Sequence, residues 1–80
     1  MASALTPDEL RELLATLLEG AAGKSHAHWL KAIGEVEHLT PIHMHVRGNW
    51  RVRPKGTKAD VDAIGRAVEV VRAEHPYVAI

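Results

Sequence analysis

The stretch Pro41–Pro54, PIHMHVRGNWRVRP, constrains this chain most. Ile42, Met44 and Val46 alternate with His43, His45 and Arg47, and Trp50 and Val52 alternate with Arg51 and Arg53. A period of two marks strands with one buried and one open face. Two such runs around Arg47-Gly48-Asn49 predict a β-hairpin. A two-residue turn would set apolar side chains beside charges. A three-residue turn pairs Val46 with Trp50 and Met44 with Val52, and it sets His45 beside Arg51 and His43 beside Arg53. Burial selects the second register, because a one-residue slip flips a whole strand face. Such a turn needs a left-handed residue at its end, and Asn49 tolerates that conformation.

The preceding segment Glu35–His38 extends the pattern. With a turn at Leu39-Thr40-Pro41, Val36 faces Met44 and His38 faces Ile42. His38 then points inward at a strand end. The expected outer face carries two cross-strand rows, Glu37–His43–Arg53 and Glu35–His45–Arg51.

Helices flank the strands. Thr6-Pro7-Asp8-Glu9 is a helix start with a cap, a proline at the first position and a capping-box glutamate. Leu10, Leu13, Leu14, Leu17 and Leu18 follow at helical spacing, and Gly20–Gly23 ends the run. Lys24–Ile33 reads either as an extended lead-in or, preferred, as a short helix capped by Ser25, with Trp29 and Ile33 one turn apart and Gly34 closing it. Thr57 caps a last helix, with Asp60 three residues on. Its stripe is Val61, Ile64, Ala67, Val68 and Val71, with Val70 at the edge. Gly65 inside it predicts a close helix–sheet contact, and Pro76 stops it near Glu74 or His75. Tyr77–Ile80 is an apolar tail expected to pack on the domain or to pair with another chain.

Amphipathic helices and a one-sided sheet call for a two-layer α+β domain. The expected form is a three-stranded antiparallel meander with two main helices on one face, in the order α-(α)-β-β-β-α. Eighty residues suit a single domain with a small core, here residues 1–80. The absence of cysteine excludes disulfides and thiolate zinc sites and favours a reducing, cytoplasmic setting. No apolar run reaches membrane-spanning length, and Met-Ala-Ser-Ala-Leu lacks the basic start of a signal peptide, so no membrane partner is expected.

Formal net charge is zero with histidine neutral, but its distribution is uneven. Residues 47 to 58 hold Arg47, Arg51, Arg53, Lys55 and Lys58 without an acid, and six histidines make the charge sensitive to pH near neutrality. Three uses of the His/Arg face compete. The plainest is a solvated face held by cross-strand charge pairs, each worth about 0.2–1 kcal/mol, and it ranks first. The second is an anion or nucleic-acid site formed by His43, His45, Arg47, Arg51, Arg53 and Lys55. The third is a metal held by His43 and His45, because both imidazoles of a His-x-His strand can reach one ion. Neighbouring Arg51 and Arg53 weaken a cation site, so no metal or other cofactor is expected. The chain has no cysteine nucleophile, no glycine-rich phosphate loop and no His-Glu-x-x-His, so an independent enzyme is not expected. The leading functional expectation is a small protein-interaction or binding domain. It is expected to self-associate through a sheet edge or the tail, with nucleic acid as the alternative partner.

Trp29, Ile33-Gly34, Val36, His43-x-His45, Asn49-Trp50, Pro54, Gly56-Thr57, Val71-Arg72 and His75-Pro76 together form a pattern similar to that of a group of small uncharacterised bacterial proteins. It spans roughly the last fifty residues and implies no activity. The helix–three strands–helix order resembles double-stranded-RNA-binding domains and the small mRNA-cleaving toxins of toxin–antitoxin pairs. The first family carries a lysine cluster at the start of its last helix, whereas Lys58 is followed here by Asp60 and Asp62. The toxins carry a Gly-Ser-His stretch. Gly23-Lys24-Ser25-His26 departs from it by an inserted lysine, so no catalytic role passes to His26.

Overall fold

The computed structural model describes residues 4–39 and 48–79. Its elements are α1 (Pro7–Ala22), α2 (His26–Ile33), β1 (Val36–His38), β2 (Trp50–Val52) and α3 (Lys58–Glu74). The architecture is α+β, with three helices and a two-stranded antiparallel sheet.

Local signals set the helix ends. Thr6 Oγ1 accepts the Glu9 backbone N–H at 3.1 Å, and Glu9 Oε1 accepts that of Thr6 at 3.0 Å. The second bond holds the Glu9 carboxyl below its ordinary pKa. α1 runs past Gly20 and ends at Gly23, whose φ of 78° suits a residue without a Cβ. Ser25 caps α2 by accepting from His28 N–H at 3.0 Å, and Gly34 at φ 69° closes it. Thr57 caps α3 through Asp60 N–H at 3.1 Å.

The core forms where the apolar faces meet. Leu10, Leu14 and Leu18 of α1, Trp29 and Ile33 of α2, and Ile64, Val68 and Val71 of α3 enclose Val36 and Trp50 of the sheet. Val52 packs at the margin. One sheet face therefore meets the helices, while Arg51 and Arg53 on the other are exposed.

Strand order departs from the expected meander. A meander leaves its first and third strands parallel and apart. Here β1 and β2 are direct antiparallel neighbours, pairing Val36 with Val52, Glu37 with Arg51 and His38 with Trp50. Leu39 N–H donates to Asn49 O at 2.7 Å and prolongs the ladder. The expected partners of Val36 and His38, the Val46–Trp50 register and the strand at 42–46 involve residues outside the described ones. His38 lies at the strand end but is exposed, not turned inward.

Asn49 was expected to turn left-handed. Lys24 is the one described non-glycine residue with positive φ, so Asn49 is not left-handed. It is instead buried, and its side chain holds the tail. Asn49 Nδ2 donates to Val78 O at 3.2 Å, and Val78 N–H donates to Asn49 Oδ1 at 2.8 Å. The tail packs on its own domain through Val78. Val78 is buried, and Ala79 N–H donates to Leu5 O at 2.7 Å. Arg72, inside the apolar stripe of α3, is also buried. Its guanidinium lies 4.3 Å from the Trp50 ring centre and donates to Trp50 O at 2.7 Å.

Gly65 makes no close contact. A Cβ there would meet nothing within 4 Å, and the residue is exposed. Glycine in a helix interior costs about 1 kcal/mol against alanine. Gly65→Ala should therefore raise stability by up to about 1 kcal/mol, seen as a higher urea midpoint at unchanged m-value.

Candidate anion-binding face

The β1–β2 register builds the face. Glu37 sits opposite Arg51, and Arg53 follows two residues later on the same side. One carboxylate holds both arginines. Arg51 Nε reaches Glu37 Oε2 at 2.9 Å, and Arg53 Nε reaches Glu37 Oε1 at 3.2 Å. The expected rows placed a histidine between Glu37 and Arg53. Direct strand pairing replaces that row with a contact between the two ends. Each arginine thus meets Glu37 by its Nε edge. Among the described residues nothing else engages either guanidinium, and the side chains are 48% and 70% exposed. Two planar donor forks are held by one carboxylate, and among the described residues their Nη groups meet no other acid.

Lys55 continues the face. Its backbone N–H donates to Ala32 O at 2.8 Å, which fixes the chain beside α2 while the side chain stays exposed. It borders two clefts. One of about 480 Å³ is lined by Gly34, Glu35, Glu37, Arg53 and Lys55. The other, about 280 Å³, is lined by His28, Lys31, Ala32, Lys55, Gly56 and Asp60.

Asp60 does not spoil the second cleft for an anion. Its oxygens are taken by Lys24 Nζ at 2.7 Å and His28 Nε2 at 3.0 Å, and its side chain is 4% exposed. The Lys24 hydrogen bond is the main reason its carboxyl sits below the usual range, against desolvation; the His28 bond adds to it. Lys31 and Lys55 have no acid partner among the described residues. The two clefts and the arginine pair together hold Arg51, Arg53, Lys55 and Lys31 against Glu35, Glu37 and the already paired Asp60.

Of the residues singled out in the sequence, Arg51, Arg53 and Lys55 come together. His43, His45 and Arg47 lie outside the described residues. Among the described residues, no group of three or more His, Asp or Glu could hold a metal ion, and no helix is long and apolar enough to cross a membrane. Sequence reasoning missed Lys31 and the tie of Asp60 to Lys24 and His28. It noted Asp60 only as the third residue after the capping Thr57. The Asp60 backbone N–H does meet that cap, while its carboxylate serves the α1–α2 corner. Compared with known proteins, the chain matches no family model, no curated protein and no solved structure.

Proposed function

We propose that this chain is a small cytoplasmic binding domain that takes anionic groups, foremost the phosphates of a nucleic acid, on the face formed by Arg51, Arg53 and Lys55. The observation that carries this reading is the shared Glu37. A lone surface arginine pays conformational entropy to meet a phosphate. Two arginines already fixed by one carboxylate lose less, and their remaining N–H groups suit phosphate oxygens. Both large aromatic rings near the sheet, Trp29 and Trp50, are buried and offer no surface for base stacking. The reading is therefore of backbone phosphate, with little sequence preference. His43, His45 and Arg47 belong to it as residues of the alternating segment expected to add a strand to the same sheet.

Fluorescence anisotropy with short single- and double-stranded RNA and DNA tests the proposal. Binding should appear at low salt and weaken as salt rises. Arg51→Ala with Arg53→Ala should remove most of the affinity and reduce the salt slope by about one for each phosphate no longer neutralised. Both side chains are exposed, so the variant should stay folded, with a stability change within about 1 kcal/mol. His43→Ala with His45→Ala asks whether protonation adds to binding between about pH 8 and about pH 6. Failure of every nucleic acid to bind at low salt and low pH removes the reading.

Self-association is the second reading. Leu17 and Val70, both exposed, border an apolar groove of about 240 Å³ between α1 and α3, lined with Ala21, Ala63 and Ala67. Sedimentation velocity across a concentration series, with Leu17→Lys as comparison, tests it.

A further inference from the structure

The α1–α2 corner carries a cluster that the basic face does not use. His26 is the first residue of α2, and its ring lies between two carboxylates of α1. Glu19 Oε2 is 2.5 Å from Nδ1, and Glu12 Oε2 is 2.6 Å from Nε2. Glu12 and Glu19 are seven residues apart, close to two helical turns, so both project from one side of α1.

Proton counting decides the state of the ring. An ionised carboxylate only accepts hydrogen bonds. A neutral imidazole has one donor and one acceptor nitrogen, so it can satisfy one of these contacts and must set lone pairs against each other in the second. The imidazolium donates to both. The local sequence explains why acids are drawn in. A helix N-terminus favours negative charge, yet the first turn of α2 has no acid and carries His26 and His28. The acids come from the neighbours, Glu12 and Glu19 of α1 for His26, and Asp60 of α3 for His28 and Lys24.

We infer that His26 is a proton-operated latch: charged, it fastens the start of α2 to α1, and on losing its proton it frees the α1–α2 corner. The charged groups facing its ring are Glu12 and Glu19. The nearby cations Lys24 and His28 are both held by Asp60. Hydrogen bonds from the His26 ring to Glu12, then to Glu19, hold the His26 pKa above its ordinary value, against desolvation. A folded pKa above the unfolded one fixes the sign. The latch contributes fully below about pH 6.5, and its contribution is lost as pH rises through the raised midpoint. α2 also supplies Ala32 O, the acceptor that positions Lys55, so the latch adjoins the basic face without depending on what binds there.

The test uses the full chain, with NMR titration of the histidine ring protons and amide-exchange protection factors from about pH 6 to about pH 9, a range that brackets ordinary histidine titration. We expect the His26 midpoint above about 6.5, lowered in Glu12→Gln with Glu19→Gln. We also expect α2 protection to fall several-fold as His26 deprotonates, while the centre of α3 holds. His26→Gln should make α2 protection independent of pH, whereas His28→Gln should leave the transition in place. A His26 midpoint at or below the ordinary value, or α2 protection that stays flat through the titration, overturns the latch. Wild-type protein alone delivers both measurements.

Discussion

Trp50→Ala should remove a large share of the domain's stability and lower its urea midpoint sharply. Trp50 has no exposed surface, and it joins the sheet to the end of α3. Its Nε1–H donates to His75 O at 2.8 Å, and the buried Arg72 guanidinium lies over its ring. Truncating a buried tryptophan to alanine costs about 3–5 kcal/mol. A domain of this length has a total stability of about 4–12 kcal/mol. The buried charge of Arg72 also loses the ring that covers it. Urea unfolding followed by far-UV circular dichroism measures the loss. Trp50→Phe separates the contributions, since it keeps most of the apolar area and loses the His75 bond, worth about 0.5–1.5 kcal/mol. If Trp50→Ala unfolds at the wild-type urea concentration, this packing scheme is wrong.

The second large effect is expected from adding one carbon. An ideal Cβ on Gly48 would lie 2.0 Å from Pro76 O and 3.0 Å from Pro76 C. These are backbone atoms, which cannot rotate away as the end of a side chain can. Gly48→Ala must push residues 76–79 outward. The Asn49 N–H bond to Pro76 O, at 3.1 Å, and the paired bonds between Asn49 and Val78 are then strained together. Overpacking costs about 1–3 kcal/mol, and each buried polar group left unpaired adds about 1–3 kcal/mol. We expect a loss on the order of 3 kcal/mol, with earlier cleavage of the tail by carboxypeptidase. Gly20→Ala is the control, because nothing lies within 4 Å of its Cβ position. Equal stability of the two variants would mean that Gly48 does not approach Pro76 this closely.

The parts of this fold legible in the sequence are those set by neighbours in the chain. Thr6, Ser25 and Thr57 cap helices because a hydroxyl three residues before a free N–H can reach it, whatever the rest of the chain does. Alternation likewise told which side of Trp50, Arg51 and Val52 is buried. It could not tell which strand lies alongside, because every antiparallel partner with the same parity buries the same residues. For that reason Arg51 and Arg53 were legible as candidate site residues, while their common anchor on Glu37 was not. Asn49 was misread for a related cause. Its ordinary local role in a turn is overridden by a distant backbone carbonyl that needs a donor, Val78 O. The burial of Arg72 against Trp50 O has the same origin and left no local signal.

The bond between Ala79 N–H and Leu5 O, at 2.7 Å, brings the two ends of the described fold together. Such a gap is one that a few linking residues can bridge. The domain is therefore suited to insertion into a surface loop of a host protein, entering and leaving at nearly the same point. It is equally suited to circular permutation, with Leu5 and Ala79 spliced and the chain opened elsewhere. A mechanical load applied between its ends would peel this clasp apart before it reached the helices.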